Sequence, residues 1–252
     1  MDFFSSTTGV PFVLFGPLYF ALLIAVVVLS LYMYKFRDKL RKFKHNKLLR
    51  FVFSGVLFTN MTVYYVSLMI IGEYDIKKHL PLEFCFITGY ILMYILITNN
   101  KNNFFTTLFY CTLIGPLPAM IFPNLSGSYD RFIFYQFIIS HHFMLLVSFY
   151  CVIVFGYKVE TKSAIRAFIY GNIVFISVSI LNVLWGSNYI MQQKLPDHII
   201  KMFPFVTYFD HPIFWLETCG LAMLIPGVFL ATKFSQNKAT IPDVPAVELN
   251  KA

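Results

Sequence analysis

Seven apolar runs, each near the length that crosses a bilayer, restrict the fold of this chain more than any other feature. They occupy about residues 12–34, 51–71, 80–98, 104–122, 132–156, 167–185 and 212–231. A bilayer core takes about 20 apolar residues as a helix, and backbone polar groups at that depth must pair within their own segment. Seven such runs in 252 residues leave room only for short connections and two tails. Only 13% of residues are charged, about half the share that a water-facing domain carries. The expected fold class is therefore all-α: a polytopic membrane protein with a bundle of seven transmembrane helices over residues 1–233. A soluble globular enzyme, a disordered chain and a large extramembrane domain are ruled out.

Charge placement orients the bundle. Residues 1–10 carry no basic side chain, so the charged start of a signal peptide is missing, and the first run is too long for a signal-peptide core. Directly after it come Lys35, Arg37, Lys39, Arg41, Lys42, Lys44, Lys47 and Arg50. If the runs alternate, 15 of the 20 Lys and Arg face the cytoplasm, and Lys77, Lys78, Arg131, Lys194 and Lys201 stay outside. That asymmetry predicts N-out and C-in. The basic loop 35–50 is also a candidate contact for anionic lipids, although setting topology is reason enough for it. Membrane lipids are the expected partners, in a plasma membrane or endomembrane, and no nucleic-acid module appears. Cys85, Cys111, Cys151 and Cys219 all lie in apolar stretches, which argues against a disulfide framework.

Connections are short except for residues 186–211. That stretch holds Ile199, Ile200, Met202, Phe203, Phe205, Tyr208 and Phe209, and its apolarity predicts an amphipathic lid on the outer interface. Residues 234–252 are polar, contain Pro242 and Pro245, and read as a disordered cytoplasmic tail. No internal repeat is visible.

Ionisable groups inside a bilayer are expensive and often mark function. At about 1.5 Å per residue, Cys85 sits about 7 Å below the outer surface, with Glu83 above it. His141 and His142 lie about 15 Å deep, and Glu217 and Cys219 about 7–10 Å. Asn60 is central in the second run and Asn182 is in the outer half of the sixth; the inner half holds mainly Asn172 and Cys151. Cys111 and Cys151 read as packing residues. The three asparagines read first as interhelical hydrogen-bonding groups, with Asn60 and Asn182 also candidates for substrate binding. Glu217 reads equally as an acid at headgroup level. Neighbouring histidines point about 100° apart on a helix, so at least one of His141 and His142 faces the interior.

A thiol attacks as thiolate and needs a base nearby in an apolar setting. A histidine supplies that base, and an acid can orient the imidazole. Cys85 as nucleophile, His142 or His141 as base, and Glu217 or Glu83 as orienting acid would form such a set, at the depth of phospholipid ester bonds. The chemistry is acyl transfer or ester hydrolysis, with no cofactor and no metal.

The stretch His79-Leu80-Pro81-Leu82-Glu83-Phe84-Cys85 resembles the LPLHLC-type motif of the YwaF family of bacterial membrane proteins. Residues Gly9 to Phe15, and Phe137-Ile138-Ile139-Ser140-His141-His142, also follow that family's pattern. The family is similar to the eukaryotic transmembrane protein 164 acyltransferases, which move acyl chains among phospholipids through a membrane Cys and His, and more distantly to androgen-induced lipid hydrolases. The resemblance implies a seven-span fold over about Val10 to Lys233 and assigns the fifth-span histidine to His142, before Phe143-Met144-Leu145. Glu83 stands where the family motif has histidine. Matching on the proline puts the acyltransferase cysteine at Leu82, which an unbroken helix would place on one face with Cys85.

The alternative reading is a small-solute or ion transporter without enzymatic activity. It would call for polar residues continuing through the inner half, which is sparse. A retinal protein would need a lysine in the last span, and a haem site would need clear axial partners; neither is present.

Overall fold

A computed structural model gives the fold and describes residues 2–5, 9–100, 103–125, 127–208 and 212–236. Among the described residues every regular element is a helix. The first run becomes α1 (Pro17–Lys35), with proline at the helix start, where its missing N–H is harmless. After α2 (Arg37–Arg41) come α3 (Asn46–Ile70) and the short α4 (Ile76–His79), whose N-cap Asp75 accepts the Lys77 amide. The expected tail is described only as far as Gln236; the rest of it lies outside the described residues.

The third run does not become helical at its first residue. Pro81 holds Leu80 in extended backbone (φ −68°, ψ 151°). Glu83 is also extended and caps α5 (Phe84–Thr98). Leu82 thus precedes the helix, and the shared face expected for positions 82 and 85 does not form. The fourth run splits at Gly115-Pro116 into α6 (Asn103–Ile114) and α7 (Pro116–Ile121), because a proline cannot continue a helical ladder. The fifth run is α8 (Phe132–Ile138), a wide π turn (Ile139–Phe143) and α9 (Met144–Ile153). Then come α10 (Ser163–Trp185), α11 (Asp197–Met202) and α12 (Ile213–Gln236).

Among the described residues five stretches are long and apolar enough to cross a membrane: Pro17–Lys35, Asn46–Ile70, Phe104–Ile121, Phe132–Ile153 and Ser163–Trp185. Phe84–Thr98 and Ile213–Phe229 are apolar but shorter. The fourth and fifth runs form the interior: 61% and 67% of their most apolar 18-residue stretches are buried, against 17% for α1 and 22% for α10. Phe105, Phe109 and Leu113 interlock with Met144 and Leu145, Leu92 and Leu96, and Leu57 and Met61. The outer helices turn Ile24, Val27, Val28 and Leu31, and Ile173, Ile180 and Val183, away from the bundle. An outward face so apolar suits lipid and not water.

Side chains close both ends of the bundle. At the basic end, Arg41 donates from Nε and Nη2 to the Ile153 carbonyl (3.0 and 2.7 Å), and Arg50 donates to the Leu96 carbonyl (3.3 Å). Each satisfies a carbonyl that a helix end leaves unpaired. At the other end the connection after α10 folds back over the helices. Asn182 donates to the Tyr189 carbonyl and Gln192 Oε1 (both 2.9 Å) and accepts from the Tyr189 amide (2.9 Å) and Ser187 Oγ (2.8 Å).

Candidate functional site

The start of α5 faces a cavity of ≈ 200 Å³, walled by α6, α7, α10, α12 and the connection that follows α10. Glu83, Cys85, Asn172, Glu217 and Cys219 line it, among apolar groups such as Phe84, Phe168, Phe175 and Trp215. Cys85 occupies the first turn of α5, directly after the cap Glu83.

Glu83 is held from across the fold: its Oε2 accepts the Ile190 amide at 3.0 Å. Ile190 and Met191 both have left-handed backbone (φ 57° and 56°), a region costing about 1–2 kcal/mol for L-residues and unusual for a β-branched one. Both line the cavity. Strain of this kind persists only where its surroundings over-determine it, and here the Asn182 hydrogen bonds supply that constraint. Tyr189 adds a tie, with its hydroxyl accepting from the Leu80 amide (2.8 Å) and donating to the Ile76 carbonyl. The roof and the lead into α5 are one connected piece.

Glu217, on α12, receives a long hydrogen bond from Asn172 Nδ2 (3.5 Å), which also donates to the Phe168 carbonyl (3.0 Å). Farther along the connection, Leu195, Ile199 and Val206 pack with Phe122, Phe203 and Trp215. This is the lid that its apolarity predicted, and Leu195 and Ile199 reach the cavity. Tyr208 remains 86% exposed, and Phe209 lies outside the described residues.

The two histidines are placed differently from the acids. His141 Nδ1 donates to the Phe137 carbonyl (2.8 Å), and its ring stacks on Phe137 at 4.2 Å. His142 is buried in the π turn, with Nδ1 unpartnered among the described residues and its ring edge-on to Phe137. The turn packs against α5, yet neither histidine lines the cavity. Among the described residues no hydrogen bond joins Cys85 to His142. The structure thus brings Cys85, Glu83 and Glu217 together and leaves His141 and His142 behind the wall.

Neither candidate binding asparagine reaches this cavity. Asn182 is buried at the hub of the roof, and Asn60 donates to Ser140 Oγ (3.0 Å) beside a shallow hollow between α3 and α8. Asn172 and Cys219 do reach it, although the sequence marked the first as interhelical glue and gave the second no role. Depth marked Cys219, beside Glu217, but set Asn172 in the inner half and so pointed away from it. Among the described residues no group of three His, Cys, Asp or Glu could hold a metal ion.

The model of the TMEM164 family matches residues 11–228. No curated protein and no solved structure matches the chain. With most of its length covered by that one model, from before α1 to within α12, the chain belongs to the TMEM164 family.

Proposed function

We propose that this membrane protein transfers acyl chains between lipids, with Cys85 as the nucleophile. In this reading α5 and α12 also cross the bilayer, giving seven spans with the N-terminus outside and the C-terminus inside. The observation that carries the reading is the convergence of a half-buried thiol and two carboxylates on one apolar cavity beneath a lid. Aromatic and aliphatic walls suit an acyl chain, and the few polar groups are gathered where an ester would meet sulfur. Exposed Lys35, Lys39, Lys42, Lys44 and Lys47 support contact with anionic headgroups at the other end.

The thiol proton passes to a base, and Sγ attacks the carbonyl carbon of a phospholipid ester. The C–O bond breaks, the alcohol oxygen takes a proton and leaves as a lysolipid, and the acyl group stays on Cys85 as a thioester. A second lysolipid hydroxyl gives up its proton, attacks the thioester and restores the thiol. His142 is the base that the family resemblance assigns; its turn packs against α5, and in this reading its ring swings from behind the cavity wall toward Cys85. Glu217 is the acid already inside the cavity, held by Asn172.

The test is acyl exchange by purified protein between a labelled phospholipid and an acceptor lysolipid in nanodiscs. Cys85→Ala is expected to abolish exchange with the fold intact, and His142→Ala to lower it by about 100-fold or more, the usual contribution of general-base catalysis. Undiminished exchange in Cys85→Ala, or solute uptake by proteoliposomes with no lipid remodelling, would overturn the reading.

A further inference from the structure

The glycines inside the bundle are of two kinds. At Gly89, Gly115 and Gly227 a Cβ would collide with packed neighbours: Met61 Cε for the first, Phe84 Cδ1 at 2.6 Å for the second, Leu113 Cδ1 at 2.6 Å for the third. Close approach explains why these three carry no side chain. Gly171 on α10 and Gly220 on α12 differ. A Cβ at Gly171 would meet only the edge of Phe84 at 4.0 Å, and one at Gly220 would touch Ile114 Cγ2 at an ordinary 3.5 Å. Neither has a positive φ, so the backbone does not demand glycine either. Glycine within a helix is less favourable than alanine, and packing gives no compensation at these two sites. What both share is the wall of the cavity that Cys85 and Glu217 also line.

We propose that Gly171 and Gly220 determine how bulky an acyl chain the cavity admits next to Cys85. The inference rests on the acyl-transfer reading. At ≈ 200 Å³ the cavity is smaller than the roughly 300–1,000 Å³ of common ligand pockets. It therefore takes the ester and its adjoining methylenes while the rest of the lipid stays in the bilayer. In so small a space one methyl at either glycine removes room from the substrate. Gly55 provides the control: a Cβ there would meet nothing within 4 Å, and it lies exposed on α3, away from the cavity.

The experiment measures exchange by the full chain in nanodiscs with straight short, straight long and kinked unsaturated acyl donors. Gly171→Val and Gly220→Val are expected to lower the kinked-to-straight rate ratio by about tenfold, the scale of one or two methyl groups in an apolar pocket. Gly171→Ala shifts it less in the same direction while raising the melting temperature by about 2 °C; Gly55→Ala leaves the ratio alone. A second readout needs no turnover: in Gly171→Val, Cys85 alkylation by a bulky maleimide slows relative to iodoacetamide. If the valine variants fail to fold, the alanine variants carry the same comparison. Unchanged ratios and unchanged labelling, with Cys85→Ala inactive, overturn this inference and leave acyl transfer standing. Full exchange by Cys85→Ala overturns both.

Discussion

The two ends of the bundle solve the same physical problem and finish differently. Helix termini leave carbonyls and amides unpaired, and at both ends distant side chains reach in to satisfy them. At the basic end Arg41 binds the Ile153 carbonyl, Arg50 the Leu96 carbonyl, and the Tyr157 hydroxyl donates to Asn99 Oδ1 at 2.8 Å. At the other end Asn182, Tyr189 and Glu83 do comparable work, yet a thiol, a second carboxylate and two left-handed residues still face a cavity. Among the described residues, a thiol and two carboxylates share one cavity at this end, and the proposed chemistry is assigned there.

The sharpest way to break this contrast is Asn182→Ala. It strands the Tyr189 amide, the Ser187 hydroxyl and Gln192 Oε1 in a buried site, and each unsatisfied group costs about 1–3 kcal/mol. A stability loss of about 3 kcal/mol or more is expected in chemical denaturation, together with faster alkylation of Cys85 as the roof loosens. Wild-type stability with wild-type labelling would show that the roof does not depend on this hub. Arg41→Ala tests the opposite end. It removes a charged donor whose side chain is 26% exposed, so about 1 kcal/mol is expected after allowance for solvent. Lipid exchange should not change; a loss of exchange at unchanged stability would couple the two ends.

The smallest effect concerns pH at the turn before α5. The Lys77 amide bonded to Asp75 holds that carboxyl below its ordinary 3.8, and burial holds His79 below 6.5. Folding lowers both pKa values, so the stabilisation is present above the ordinary values and is lost as pH falls through the folded ones. Hydrogen-exchange protection over residues 75–80, taken relative to the intrinsic exchange rate at each pH, should fall from just below pH 6.5 and further below pH 3.8. A loss of protection on the alkaline side of neutrality would contradict the sign.

The parts of the molecule that follow from local chemistry could be read in advance. Long apolar runs became helices, and the apolar stretch after α10 became a lid. The break at Gly115-Pro116 was written in the residues but hidden by the uninterrupted apolarity of the fourth run. The α5 start moved from Leu80 to Phe84 because proline limits the residue before it, which sets aside the proposed equivalence of positions 82 and 85. The grouping of Cys85 with Glu217 was anticipated from depth alone. Depth gives only one coordinate, however: His142 matches it roughly and still turns behind the wall, and Asn182 matches it and holds the roof. Rotation about each helix axis is fixed by packing partners far away in the chain, which no local pattern encodes.

The π turn at Ile139–Phe143 has a consequence for any shortening of this chain. A wide turn absorbs one surplus residue, so these five residues turn the chain about as far as four would in a regular α-helix. If all five closed up as α-helix, Met144–Ile153 would rotate by about 100°, one residue's share of a helical turn. Met144, Leu145 and Cys151 would then swing out of the interior. Deleting one position would instead let α8 run straight into α9 with the core in register, so the irregularity is the place where this run tolerates the loss of a residue.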